Sequence, residues 1–169
     1  MTSTLLSVRR VLVLLFALAL AGCGSSKHAA PTTTATAAPP GPGTTLYAGG
    51  DWAVVLDGGH ATAFHRVAGT WKPDTSGLVK IRILGPKPGS AAAAIPQVAS
   101  ELSAHSPLIE SGMWVDGQEI AVKGGGLTST KGTIYGAPEA RLAKGTHVVV
   151  AYARTATHAA AVAWSFRVA

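Results

Sequence analysis

The 169-residue chain reads as an all-β protein beyond its amino-terminal segment. Short runs rich in Val, Ile, Trp and Tyr alternate with Gly, Pro and Asp-Gly turn signals from Leu46 to the end. The final run alternates with period two. Ala160, Val162, Trp164, Phe166 and Val168 share one face, and Ala161, Ala163, Ser165 and Arg167 share the other. One apolar face at that period means a strand laid on a core. The Ala91–Ala94 run is helix-friendly, but Pro86, Pro88 and Pro96 surround it and it is read as loop.

The strands are expected at Trp52–Leu56, Ala61–Val67, Leu78–Leu84, Gln97–Ala104, Ser111–Val115, Gln118–Val122, Leu127–Lys131, Gly132–Tyr135, Thr146–Arg154 and Ala160–Val168. The first two form a hairpin around Asp57-Gly58-Gly59, ended by Gly69-Thr70-Trp71 and Pro73-Asp74. Two strands alone are marginal in water, so this hairpin must pack on something. The expected organisation is therefore 1–22 signal, 23–45 linker, 46–78 hairpin extension and 79–169 main domain.

The amino-terminal segment has the parts of a secretory signal. Arg9 and Arg10 are basic, Val11 to Leu20 is an unbroken apolar run, and Ala21 and Gly22 are small. Ten apolar residues fall short of the about 20 that span a bilayer. Arg9-Arg10 leaves general and twin-arginine export both open. Leu20-Ala21-Gly22-Cys23 resembles the lipobox of bacterial lipoproteins. That resemblance implies a diacylglyceryl and acyl (palmitate-type) anchor on Cys23, which becomes the first mature residue, and a location on the outer face of the cell membrane. Two or more acyl chains give stable anchoring.

Cys23 is the single cysteine, so no disulfide forms within the chain. Gly24 to Thr45 is almost wholly Ser, Thr, Ala, Pro and Gly. It lacks the apolar residues that repay ordering and is expected to be a disordered tether. At about 3.1 Å per residue it reaches roughly 70 Å when extended.

From about Val79 onward the chain resembles a bacterial immunoglobulin-like domain. The matching features are Gly85-Pro86-Lys87-Pro88-Gly89-Ser90, Met113-Trp114-Val115-Asp116-Gly117, Leu142-Ala143-Lys144-Gly145-Thr146-His147 before a valine strand, and Trp164-Ser165-Phe166-Arg167-Val168. The resemblance implies an immunoglobulin-like β-sandwich, of about 100 residues in that fold. Two departures stand out. Arg154-Thr155-Ala156-Thr157-His158 replaces the usual Asp and Gly-Asn turn, and the chain has no asparagine. That disfavours calcium, which takes carboxylate and carbonyl oxygens.

The resemblance also implies that Val149 and Ala151 face the core. Trp114, Val148, Val150 and Tyr152 then form a candidate interaction face on the outside of one sheet. A contiguous exposed apolar face is unusual in a monomer. Either the hairpin covers it or a partner does, and the exposure of Trp114 separates the two.

Catalytic and metal signatures are sparse. There is no H-E-x-x-H, G-x-S-x-G or Walker lysine loop. His28, His60, His65, His105, His147 and His158 make no zinc-finger pair, and a lipidated Cys23 excludes a copper site at a free histidine terminus. Asp57 and Asp116 precede glycine and read as turn residues. No metal or cofactor is expected. Removal of the signal takes two of the fourteen basic residues and none of the eight acidic ones, leaving +4. The basic residues are scattered, and no basic-aromatic cluster suggests nucleic acid. The expected function is non-enzymatic: an interaction module recognising protein or glycan at the cell envelope, or an accessory or substrate-binding subunit of an envelope complex.

Overall fold

Hydrogen-bonded turns at Gly58-Gly59 and Asp116-Gly117 set the registers of two hairpins. In each, both central residues have positive φ, near 54° and 81° for the first and 50° and 81° for the second. This is the primed turn whose twist matches that of paired strands. The computed structural model describes residues 42–125 and 127–169. The signal, Cys23 and the tether up to Gly41 lie outside them.

Thirteen strands follow in order among the described residues: β1 (Thr44–Gly49), β2 (Trp52–Asp57), β3 (His60–Val67), β4 (Thr70–Pro73), β5 (Val79–Gly85), β6 (Ala91–Ala92), β7 (Val98–Ala104), β8 (Glu110–Val115), β9 (Gln118–Glu119), β10 (Val122–Gly125), β11 (Lys131–Gly136), β12 (Gly145–Arg154) and β13 (Ala159–Val168). No helix is present among them. They build three sheets, with orders β1-β2-β3-β4, β10-β11-β7-β5 and β6-β13-β12-β8-β9. All neighbours are antiparallel except β6, which runs parallel to β13. The described residues are all-β, and their layering is consistent with a β-sandwich.

The third sheet is the central layer. Met113, Val115, Val149, Ala151, Trp164 and Phe166 meet Val98, Leu102 and Ile134 of the second sheet in one core. Trp114, Val150 and Tyr152 meet Trp52, Val54 and Ala63 of the first sheet in another. A strand covered on both faces reads as a continuous apolar run, which accounts for Val148-Val149-Val150-Ala151 in β12. In β13 the alternation places Trp164, Phe166 and Val168 in the sandwich core, as the sequence predicts.

Several expectations change. The hairpin is half of a four-stranded sheet. β1 begins at Thr44, inside the segment read as tether, because its Thr-rich sequence pairs through the backbone with Val55 and Leu56 of β2. β4 is the segment read as the end of the hairpin and pairs with β3 from Phe64 to Val67. The expected strand at 118–122 divides into β9 and the start of β10. The strand expected at Leu127–Lys131 is absent: Leu127 makes one bridge to Leu108, and Thr128 turns with φ of 72°. Ala91–Ala92, read as loop, forms β6.

Candidate functional site

Three of the four residues of the candidate interaction face come together inside the molecule, and the fourth, Val148, lies outside that cluster. Trp114, Val150 and Tyr152 are 3%, 1% and 1% exposed, and Val148 is half-buried. Antiparallel pairing sets Val150 beside Trp114 and Tyr152 beside Gly112. A glycine is needed there, since a Cβ on Gly112 would lie 2.8 Å from the Trp114 ring. The first sheet then seats Trp52, Val54 and Ala63 against this face. Trp114, Val148, Val150 and Tyr152 are therefore not a free docking surface. The apolar area that made the face look like a partner site is the reason the protein covers it.

Polar groups at the edge of this buried layer join the first and third sheets. The Tyr47 hydroxyl on β1 donates to Glu110 Oε1 at 2.6 Å, and Arg154 Nε donates to Glu110 Oε2. Glu110 and Arg154 are neighbours across β8 and β12. The Arg154 guanidinium also lies over the Trp52 ring, 5.6 Å from its centre, a cation–π arrangement. Burial, and then the Glu110 carboxylate, push the Tyr47 phenol up to about 12. Burial pushes Tyr152 up as well. The Tyr152 hydroxyl has no hydrogen-bond partner among the described residues. Asp74, just after β4, makes a second tie. Its Oδ1 accepts from Ser76 N at 2.9 Å, and its Oδ2 accepts from Ala159 N at 2.7 Å. Burial opposes ionisation of Asp74, but the bonds from Ser76 and Ala159 and the nearby His158 hold its carboxyl below the usual range.

A cleft of about 430 Å³ opens beside the β8–β9 turn. Asp116, His147, Glu119, Glu139 and Arg141 line it together with apolar residues such as Ile120 and Leu142. His147 points inward from β12 and is tied at both ring nitrogens. Nδ1 is 2.7 Å from Asp116 Oδ2, and Nε2 is 2.8 Å from the Ala143 carbonyl oxygen. Both partners are acceptors, so the imidazolium, with two N–H donors, satisfies both. The Asp116 hydrogen bond, with that to Ala143, raises the His147 pKa despite burial. Asp116 Oδ1 also accepts from Val148 N at 2.9 Å. The pair thus braces β12 against the β8–β9 turn, leaving no ring nitrogen for proton transfer. Chemically the cleft offers both apolar and charged lining, so it suits a ligand with apolar as well as polar parts.

Sequence reasoning found Asp116 as a turn residue but not its pairing with His147, 31 positions away, nor the roles of Glu110, Tyr47 and Asp74. The one local signal was an acid in a hairpin turn beside a sheet edge. Among the described residues, no three His, Cys, Asp or Glu side chains converge as a metal site would require. Cys23 lies outside the described residues. In comparison with known proteins, no protein family and no curated protein matches the chain.

Proposed function

We propose that this protein is a lipid-anchored, extracytoplasmic binding module. Cys23 holds it to the outer face of the cell membrane, and an immunoglobulin-like sandwich at 79–169 presents a surface to a protein or glycan of the envelope. The module carries out no chemistry of its own. One observation carries this reading. The second sheet has one face in the sandwich core, and its other face, with exposed Lys80, Arg82, Lys131 and Thr133, open to solvent. The titratable pairs support it too. His147–Asp116, Arg154–Glu110 and His158–Asp74 tie strands and turns together.

A second reading, an accessory or substrate-binding subunit of an envelope complex, is favoured by the cleft lined by Asp116 and Arg141. The two separate by photo-cross-linking in intact cells from a probe residue at Thr133 or at Glu139. Adducts from Thr133 support the surface module, and adducts from Glu139 alone support the cleft. Fractionation tests the anchor. Cys23→Ala is expected to leave the membrane fraction or accumulate as precursor. A processed Cys23→Ala chain still held on the membrane overturns the lipid anchor.

A further inference from the structure

Basic residues that are scattered along the sequence meet on the open face of the second sheet. Register aligns them in rows. Lys80 on β5 and Lys131 on β11 both pair with Ser103 of β7, about 10 Å apart at the usual strand spacing. Arg82, Glu101 and Thr133 form the next row. Ala99, Tyr135 and Lys123 form the third, about 13 Å along the strands from the first. Four cations thus surround one carboxylate. Arg82 takes that carboxylate at 2.5 Å. Lys80, Lys123 and Lys131 are exposed, and none is within ion-pair distance of a carboxylate among the described residues. At the first row, Lys80, Ser103 and His105 line a shallow pocket of about 120 Å³, the scale of one acid group.

We propose that this face binds an acidic glycan chain. The cations are too widely spread for one small anion but suit successive acid groups on a polymer, with one group seated by Lys80, Ser103 and His105. On the same face of β11, the half-buried Tyr135, its ring close to Gly124 of β10, follows the exposed Thr133. That is a platform for sugar rings and hydroxyls. An anionic bilayer is the poorer fit. It rewards basic residues accompanied by apolar side chains that insert among the lipids, and this face projects no Trp or Phe. Its one large exposed aliphatic side chain, Leu84, stands at the β5 edge.

The proposal rests on the binding-module reading and names its ligand class. The test uses the full lipidated chain held on phosphatidylcholine vesicles, with oligogalacturonate as the acidic glycan and dextran as the neutral one. Oligogalacturonate is expected to bind, with affinity falling as salt rises, and dextran not to bind. Lys80→Glu with Lys131→Glu is expected to weaken binding about tenfold at low salt, whereas Lys72→Glu on the first sheet leaves it unchanged. Matching thermal unfolding curves show that the variants fold. Equal binding of dextran, or no binding of oligogalacturonate, overturns the proposal. So does protection of Lys80 and Lys131 from amine labelling when phosphatidylglycerol is added to the vesicles, which marks the bilayer as the occupant. Protein adducts from a Thr133 probe in cells without oligogalacturonate binding overturn the glycan and keep the module. The absence of both removes the module reading as well.

Discussion

His147 lies 2.7 Å from Asp116 with its Nδ1 facing the carboxylate, and its other nitrogen faces a carbonyl. A neutral ring has one N–H and leaves one of these acceptors facing a lone pair. The folded state therefore binds the imidazole proton more tightly than the unfolded chain, whose histidine titrates near 6.5. A raised folded pKa gives stability that is complete below about 6.5 and is lost as pH rises through the folded value. Urea unfolding is expected to show higher stability at pH 6 than at pH 9. In His147→Gln that difference shrinks. An unchanged difference in the variant rules out this pair as its source.

Asp74 works in the opposite direction. Its depressed carboxyl pKa gives stability present above the unfolded value of about 3.9 and lost as pH falls through the folded one. Asp74→Ala removes the acceptor of Ser76 N and Ala159 N. The variant is expected to unfold more easily at pH 6 and to lose less stability than the wild type between pH 4 and pH 2.

Glu110 serves two donors, so its removal strands both. Glu110→Ala leaves the Tyr47 hydroxyl and a partly buried Arg154 without their acceptor. Breaking a fully buried pair costs about 3–5 kcal/mol, and partial exposure reduces this to roughly 1–3 kcal/mol. Absorbance titration is expected to show Tyr47 ionising at lower pH in Glu110→Gln than in the wild type, where it lies at about 12. Because that value stands above the unfolded tyrosine value of about 10, the wild type loses stability as pH rises from 10 through 12.

The hydroxyl of Tyr152 is buried without a partner among the described residues, so it contributes desolvation cost and no compensating bond. Tyr152→Phe keeps the ring in place, 5.4 Å from Tyr47. Chemical denaturation is expected to show a gain of about 1 kcal/mol. A loss of that size means that the hydroxyl is satisfied in solution.

Trp114 holds the first sheet on the third. Trp114→Ala is expected to cost about 3–5 kcal/mol and to raise binding of a hydrophobic dye as the covering sheet loosens. Gly112→Ala forces a methyl against the same ring and costs about 1–3 kcal/mol by overpacking. In the wild type, tryptophan emission is expected at short wavelength and is weakly quenched by iodide. Strong quenching of Trp114 reopens this face to a partner.

Local chemistry made much of the fold legible. Alternation in Ala160–Val168 identified the core face of β13, and Asp57-Gly58-Gly59 and Asp116-Gly117 marked their turns because paired positive φ values suit Gly and Asp. The strand at β1 was hidden because Thr44 and Thr45 continue a Thr-, Pro- and Gly-rich composition. Their strand state comes from backbone pairing with β2 rather than from side-chain pattern. β4 was hidden for the same reason, its Pro73 and neighbouring turn residues reading as an end.

Periodicity states which side chains of one strand share a face, and the immunoglobulin-like resemblance set Trp114 beside Val148, Val150 and Tyr152, of which Trp114, Val150 and Tyr152 meet in one buried cluster. Periodicity carries no information on what lies opposite. Only the tertiary structure decided that the first sheet covers that face. Only it brought Asp116 to His147 and Tyr47 to Glu110, and lined up Lys80, Lys123 and Lys131 across three different strands. Those meetings depend on strand order and register over tens of residues, which are set by the packing of whole sheets rather than by any local run of side chains.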